Sequence, residues 1–261
     1  MFIVITKPLT FSNQWSSLVN PKSQENILDG CQYVYIDLGT NIGIQIRKLY
    51  EPHLYPRADV LPLFREVFGN HTSEVCSVGF EANPLHTDYL KQFESYCLRR
   101  NWRVKIFTSL AVSTLNASLT FYTEPGNENN NQWGASLERT SGGRKGSVTV
   151  PSIDIVSWFK NTVLTRKTPS KSHISRVMMK HDLEGHDQSV IADFILRGVY
   201  CSIDLIYGEH ITDSFWNSLS QIRRYSKSCG TKYINMDDES YHNTKLPFAS
   251  PDLENTATVI R

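Results

Sequence analysis

The run Met179-Lys180-His181-Asp182-Leu183-Glu184-Gly185-His186-Asp187 gathers six ionisable groups into eight residues at the end of an apolar stretch. Such groups are costly to bury and rarely assembled only to solvate a surface, so the run reads as part of an active site. A plainer reading, a charged connection with Asp187 in the first turn of a helix, accounts for Asp187 alone. Three of the groups are candidate proton acceptors. His186 stands first, because a neutral imidazole is available near pH 7 and Gly185 lets the chain turn toward a cleft. His181 precedes Asp182 and, by strand alternation, points to the opposite face, as a packed histidine would. Lys180 would need strong desolvation before it could lose its proton.

Three further motifs surround this run. Asp37-Leu38-Gly39-Thr40-Asn41-Ile42-Gly43 sets an acid at a strand end and glycines through the turn into a helix. In an open α/β sheet that turn receives a nucleotide-like ligand, with glycine allowing close backbone approach. The spacing is not that of a pyrophosphate loop, and a carboxylate there suits a positively charged ligand; a tight turn without a ligand is the bland alternative. In Gly79-Phe80-Glu81-Ala82-Asn83-Pro84, Glu81 can accept hydrogen bonds from both hydroxyls of a ribose. Tyr207-Gly208-Glu209-His210 ends the next strand. If that strand neighbours the one before Asp182, then Asp182, Glu209 and His210 offer oxygen and imidazole ligands to Mg²⁺ or Mn²⁺; alone, Glu209 and His210 would read as surface.

The elements that must position these groups alternate between short apolar runs and helix-compatible stretches, which predicts a mostly parallel sheet with helices on both faces. Strands are expected at 33–37, 75–81, 104–107, 176–182, 203–209 and 233–236, and helices at 42–49, 84–99, 153–159, 187–197 and 213–226. Pro52, Pro56 and Pro62 make 51–63 a loop or insertion, since proline lacks the donor that helix and ladder need. Residues 117–123 alternate as a half-buried antiparallel strand, followed by a short strand at 147–150. Between them the glycine-rich, polar stretch 124–147 reads as a mobile loop and candidate lid. Within it Trp133, with Tyr122 beside it, is either a platform for a sugar ring or a core anchor. The acidic tail Asp237-Asp238-Glu239-Ser240-Tyr241-His242 is read as a turn in preference to acceptor ligands.

Length and composition fit one domain spanning 1–261 with an N-terminal extension over 1–30: 261 residues, 40% hydrophobic, 20% charged. A formal charge of +1 and no aromatic-basic stripe give no electrostatic footprint for nucleic acid. The N-terminus has no basic, long-apolar leader pattern, and no run is long enough to span a membrane. Five cysteines without a C-x-x-C pair argue against a disulfide framework and for a reducing interior, so the expectation is a soluble cytoplasmic protein. Two glycosylation sequons, at Asn70 and Asn116, are then chance matches.

The order DLGTNIG, FEANP, SLAVS, KHDLEGHD, GEH resembles the FkbM-type methyltransferases, from about Tyr33 to His210. The family pattern K-x-D-x-E-G-x-E is met by Lys180, Asp182, Glu184 and Gly185, with Asp187 in place of the last Glu, and FEANP stands where the family has FEP. The resemblance implies a seven-stranded Rossmann-like fold and transfer of methyl from S-adenosylmethionine to a hydroxyl, commonly of a sugar; similar proteins of large algal viruses modify glycans, which makes a deoxysugar such as rhamnose a specific expectation and a host cytoplasm a setting. It assigns Asp37, Gly39, Asn41, Gly43, Glu81 and Asn83 to the cofactor, Ser109, Leu110 and Ala111 to its adenine, and His181 to its surroundings. Asp182, Glu209 and His210 fall where metal-dependent relatives hold a cation. Competing readings are a methyltransferase acting on another small molecule, a binding domain that has lost catalysis, a nicotinamide oxidoreductase, which lacks the pyrophosphate pattern, and an RNA methyltransferase.

Overall fold

Strand β1 (Tyr33–Leu38) is buried along its whole length, as a central parallel strand covered on both faces must be. A computed structural model describes residues 25–126, 132–139, 146–169, 174–218, 229–238 and 240. The period-2 alternation of β1 sends its side chains into two apolar layers. Val34, Ile36 and Leu38 pack in one cluster with Val78, Phe80, Met179, Val190 and Phe194, whereas Tyr33 and Tyr35 pack in the other with Phe64, Phe93, Val104 and Met178.

Around β1 the main sheet is built from β2 (Cys76–Glu81), β3 (Arg103–Thr108), β7 (Arg176–His181), β8 (Leu205–Gly208) and β9 (Lys232–Asn235), in the order β3-β2-β1-β7-β8-β9. Every pairing in it is parallel. Helices α1 (Ile44–Tyr50), α2 (Leu61–Phe68) and α3 (Thr87–Arg99) cover one face; α4 (Ile155–Trp158) and α5 (Asp187–Leu196) cover the other. A smaller sheet, β4 (Ala111–Ser113), β6 (Gly146–Asp154) and β5 (Ser118–Thr123), stands beside the cleft end, with β5 antiparallel to β6. A short helix α6 (Asp213–Ser218) follows β8. The α/β architecture with helices on both faces is as the sequence predicts.

Among the described residues the main sheet has six strands, where the resemblance implies seven. Two expectations need correction. The segment 51–63 is not all loop: α2 starts at Leu61, with Pro62 in its first turn, where the missing N–H has no intrahelical partner to lose. The cysteines do form bridges: Cys31 joins Cys76, and Cys201 joins Cys229, with Cα atoms 5.9 and 5.0 Å apart. These pairs lie far apart in sequence, so local spacing could not reveal them. They remove the argument for a reducing interior, since structural disulfides persist where conditions are oxidising. Among the described residues no helix is long and apolar enough to cross a membrane.

The C-terminal end of the sheet is locked by a charge pair inside the protein. Lys48 of α1 and Asp238, just past β9, meet at 3.1 Å with neither side chain exposed, and Asp238 also accepts the Val60 N–H at 3.0 Å. Burial pulls the Lys48 ammonium down to about 8, against the opposing pull of Asp238. Removing one member strands the other without a counter-charge, so Asp238→Ala should lose about 3–5 kcal/mol in urea unfolding, a loss that Lys48→Met in the same chain would reduce. A second measurement checks the bridges. Thiol titration of the unreduced, denatured chain should find one free cysteine, the buried Cys97, instead of five.

Candidate functional site

The order of the main sheet reverses direction between β1 and β7: β2 and β3 lie to one side, β8 and β9 to the other. At such a point the loops leaving the two central strands part, and a crevice opens outside their carboxyl ends. Two adjoining cavities occupy it, with about 570 and 640 Å³ of empty space, partly open to solvent. Gly39 and Asn41, after β1, and Asp182 and Glu184, after β7, line both cavities together with Trp133.

Gly39 has φ of +78°, and a Cβ there would run into the Asp182 carbonyl oxygen. The glycine therefore lets the two central loops touch. Beneath them lies Asp37, with no exposed surface and neither carboxylate oxygen hydrogen-bonded among the described residues. The Lys180 ammonium stands 3.7 Å above it, donating to the Gly39 carbonyl at 2.8 Å and to Asp182 at 3.1 Å. Burial pushes the Asp37 carboxyl up to about 6; Lys180 opposes this, while Asp182 and Glu81 reinforce it.

The first cavity is walled by Ala111, Val112, Phe121, Leu137 and Leu183, with Glu81, Asn83, His86, Gln132 and His186 adding polar groups to those shared with the second. Glu81 works as a clasp: one carboxylate oxygen accepts the Asn41 N–H at 2.6 Å and the other the Asn83 N–H at 2.7 Å. This uses two of about four lone-pair directions, leaving room for hydroxyl donors. Asn83 is buried and donates to Gln132 at 3.2 Å. His186 sits at the start of α5, with Ser113 Oγ 3.5 Å from Nε2 and Glu138 3.7 Å from Nδ1.

The second cavity is acidic, with Asp182, Glu184, Glu209, Asp237 and Asp238 in its lining. Adjacent β7 and β8 bring ligand atoms of Asp182, Glu209 and His210 within 4.8 Å of one another, the convergence expected from the sequence. Burial, followed by repulsion from Asp182, Asp237 and Glu184, pushes Glu209 up to about 8. A hard cation would relieve that repulsion, and two carboxylates with an imidazole are donors that suit one.

Several assigned residues belong elsewhere. His181 is in the lining of the second cavity, but its ring is fully buried, with Nδ1 2.7 Å from Asp187 and Nε2 3.1 Å from the Tyr233 hydroxyl, so both ring nitrogens are already engaged. Lys180 spends its donors holding Gly39 and Asp182, which makes it a positioning residue and not a base. Gly43 lines neither cavity; a Cβ there would strike the Phe93 ring, so helix packing explains this glycine. Of the adenine segment only Ala111 reaches the cavity, because Leu110 enters the apolar core and the Ser109 hydroxyl bonds Thr87. Asp187 does occupy the first turn of α5. Burial alone would raise its carboxyl, but donors from His181, Leu183 and Gly185 outweigh this and hold it low.

Asp237 and Trp133 are the gains. Asp237, read from sequence as part of a turn, lines the second cavity at the end of β9; its place after a last parallel strand was the available signal. Trp133 faces both cavities, on a segment tied down by Ser136, which pairs with the backbone of Tyr122 and donates to the Glu184 carbonyl at 2.8 Å. Tyr122 lines neither cavity. Other parts of 124–147, including 127–131 and 140–145, and the tail from 241 lie outside the described residues.

No family model, curated protein or solved structure matches this chain.

The buried Asp37 supplies a test by pH. Its folded carboxyl keeps a proton up to about pH 6, whereas an unfolded aspartate releases it near ~3.9. The folded state binds more protons across that window, so stability falls as pH rises from about 4 to 6 and stays lower above it. Asp37→Asn should therefore be more stable than the native chain at pH 8, by about 1–3 kcal/mol, and nearly equal at pH 3.5, measured by urea unfolding.

Proposed function

We propose that the chain is an S-adenosylmethionine-dependent O-methyltransferase whose acceptor is a sugar hydroxyl. The observation that carries the reading is the meeting of Gly39, Asn41, Glu81 and Asp182 around one crevice at the reversal of strand order, over a buried carboxylate. The residues fit the cofactor. Glu81 has lone pairs left for a ribose diol, Ala111, Val112 and Phe121 offer an apolar slot for a purine, and Asp182 favours a cationic centre, whereas Asp37 lines neither cavity and acts through Lys180. The sequence resemblance to FkbM-type methyltransferases supports the same assignment.

When bound, the cofactor supplies an electrophilic methyl group on a sulfonium. The chain's own task is to align a hydroxyl behind that carbon and to remove its proton. Glu138, beside Nδ1 of His186, favours the tautomer protonated there and leaves Nε2 as acceptor. The cofactor would supply the methyl group, and His186 would take the proton that the acceptor hydroxyl gives up. Trp133, Leu137 and Leu183 restrict water around the exchange. Asp182, Glu209 and His210 would hold Mg²⁺ or Mn²⁺, whose charge would lower the acceptor hydroxyl pKa.

Calorimetry should show binding of S-adenosylmethionine and not of NAD, weakened roughly tenfold or more in Glu81→Ala. In single turnover, His186→Ala should slow transfer by ~10²- to 10⁴-fold at unchanged cofactor affinity. A chain that does not bind the cofactor is not this enzyme. Unaltered transfer in His186→Ala removes the base and leaves positioning alone.

A further inference from the structure

Independently of the methyl-transfer reading, we propose that Asn70 carries an N-linked glycan, added as the chain folds in the oxidising lumen of a secretory pathway. Four of the five cysteines are paired across the main sheet: Cys31 precedes β1 and Cys76 opens β2, while Cys201 precedes β8 and Cys229 precedes β9. Closing each bridge takes two electrons and two protons from a thiol pair, and the co-reactant is an oxidised dithiol carrier, which a secretory lumen maintains and a glutathione-reduced cytosol opposes. The fifth, Cys97, is buried in the core, where its thiol is kept from attacking the bridges. This is the cysteine usage of a chain made under oxidising conditions. In that setting the sequon Asn70-His71-Thr72 is no chance match but an acceptor.

The turn that holds the sequon has the surface a bulky, hydrophilic group needs. Helix α2 ends at Phe68, Gly69 turns the chain at φ of +58°, and a Cβ there would meet no atom within 4 Å. Asn70 is exposed and Thr72 partly so. His71 between them is taken up by the Tyr33 ring, stacked at 4.9 Å between centroids, and by Glu74, 2.9 Å from its Nδ1. In the transfer, Asn70 Nδ2 bonds the anomeric carbon of a polyprenyl-diphosphate oligosaccharide, the diphosphate oxygen leaves that carbon with the electron pair, and Nδ2 gives up one proton. The turn lies ahead of β2, at the amino ends of the strands, so the glycan stands at the rim opposite the crevice and leaves it open. The second sequon is the poorer acceptor. Asn116 Oδ1 takes the Asp154 N–H at 2.7 Å, and Ser118, its hydroxyl partner, is already the first residue of β5, paired with Pro151.

The full chain is made twice in cultured animal cells, once behind a cleavable secretory leader and once retained in the cytosol. The lumenal chain should lose the mass of a glycan on treatment with an amidase that cleaves N-glycans, and the peptide containing Asn70 should then be found deamidated by mass spectrometry. Asn70→Gln and Thr72→Ala should each abolish the shift, whereas Thr72→Ser should retain it. Peptide maps without reductant should show Cys31 linked to Cys76 and Cys201 to Cys229. The cytosolic chain, with its thiols kept reduced, should unfold at a lower urea concentration than the lumenal chain freed of its glycan. Asn70 recovered unmodified from the lumenal chain, or a glycan on Asn116 in its place, would overturn the site. Equal urea midpoints for the bridged and reduced chains, or these four cysteines recovered as free thiols from the lumenal chain, would overturn the oxidising lumen.

Discussion

One ammonium group holds the centre of this protein together. Lys180 reaches from β7 across to the β1 turn, takes the Gly39 carbonyl and the Asp182 carboxylate, and stands over Asp37. Without it, the two central loops would meet at the switch in strand order with carboxylates on both sides and nothing between them. The hydrogen bonds set the loop separation, while the glycine at 39 removes the side chain that would prevent the approach. The crevice exists because the loops are held together at their base and diverge above it.

Glu81 and Asp187 repeat the device with backbone N–H groups, each beside a histidine. Each carboxylate gathers N–H groups from loops rather than from a helix or ladder, Glu81 from 41 and 83, Asp187 from 183 and 185. A carboxylate used this way is pre-paid order: the loops are rigid before a ligand arrives, and affinity is not lost to fixing them. The acidic wall beyond is the opposite case. Glu209 is pushed toward neutrality first by burial and then by its acidic neighbours, and a cation or hydroxyl donors can relieve that part of the repulsion.

Much of this was legible in the sequence, for physical reasons. Strands such as 33–38 and 176–181 are apolar runs that end abruptly in ionisable residues, and in a parallel sheet such ends must share one rim, so Asp37, Glu81, Asp182 and Glu209 could be placed together. Alternation also set His181 on the far side from Asp182, where its ring meets Asp187 and Tyr233. What escaped was whatever depends on distant partners. Cys31 and Cys76 are 45 residues apart, and Phe93 explains Gly43 from another helix. Pro62 reads as a breaker until a helix is seen to start there. The strand-end rule that located Glu209 applied equally to Asp237, but its acidic neighbours made the stretch look like solvated turn.

The bridge between Cys201 and Cys229 bears on the edge of the sheet. It joins the chain just before β8 to the chain just before β9, and β9 is a four-residue strand that, among the described residues, is hydrogen-bonded on one side only. So short an edge strand has few contacts to specify its alignment. A slip of one residue along β8 would turn every side chain of β9 to the opposite face of the sheet. The covalent tie at its entrance limits that freedom, and with it the registration of Asn235 against Gly208 that delivers Asp237 to the cleft and Asp238 to Lys48. A bond at the rear of the molecule thus acts as an index mark for the charge at its front.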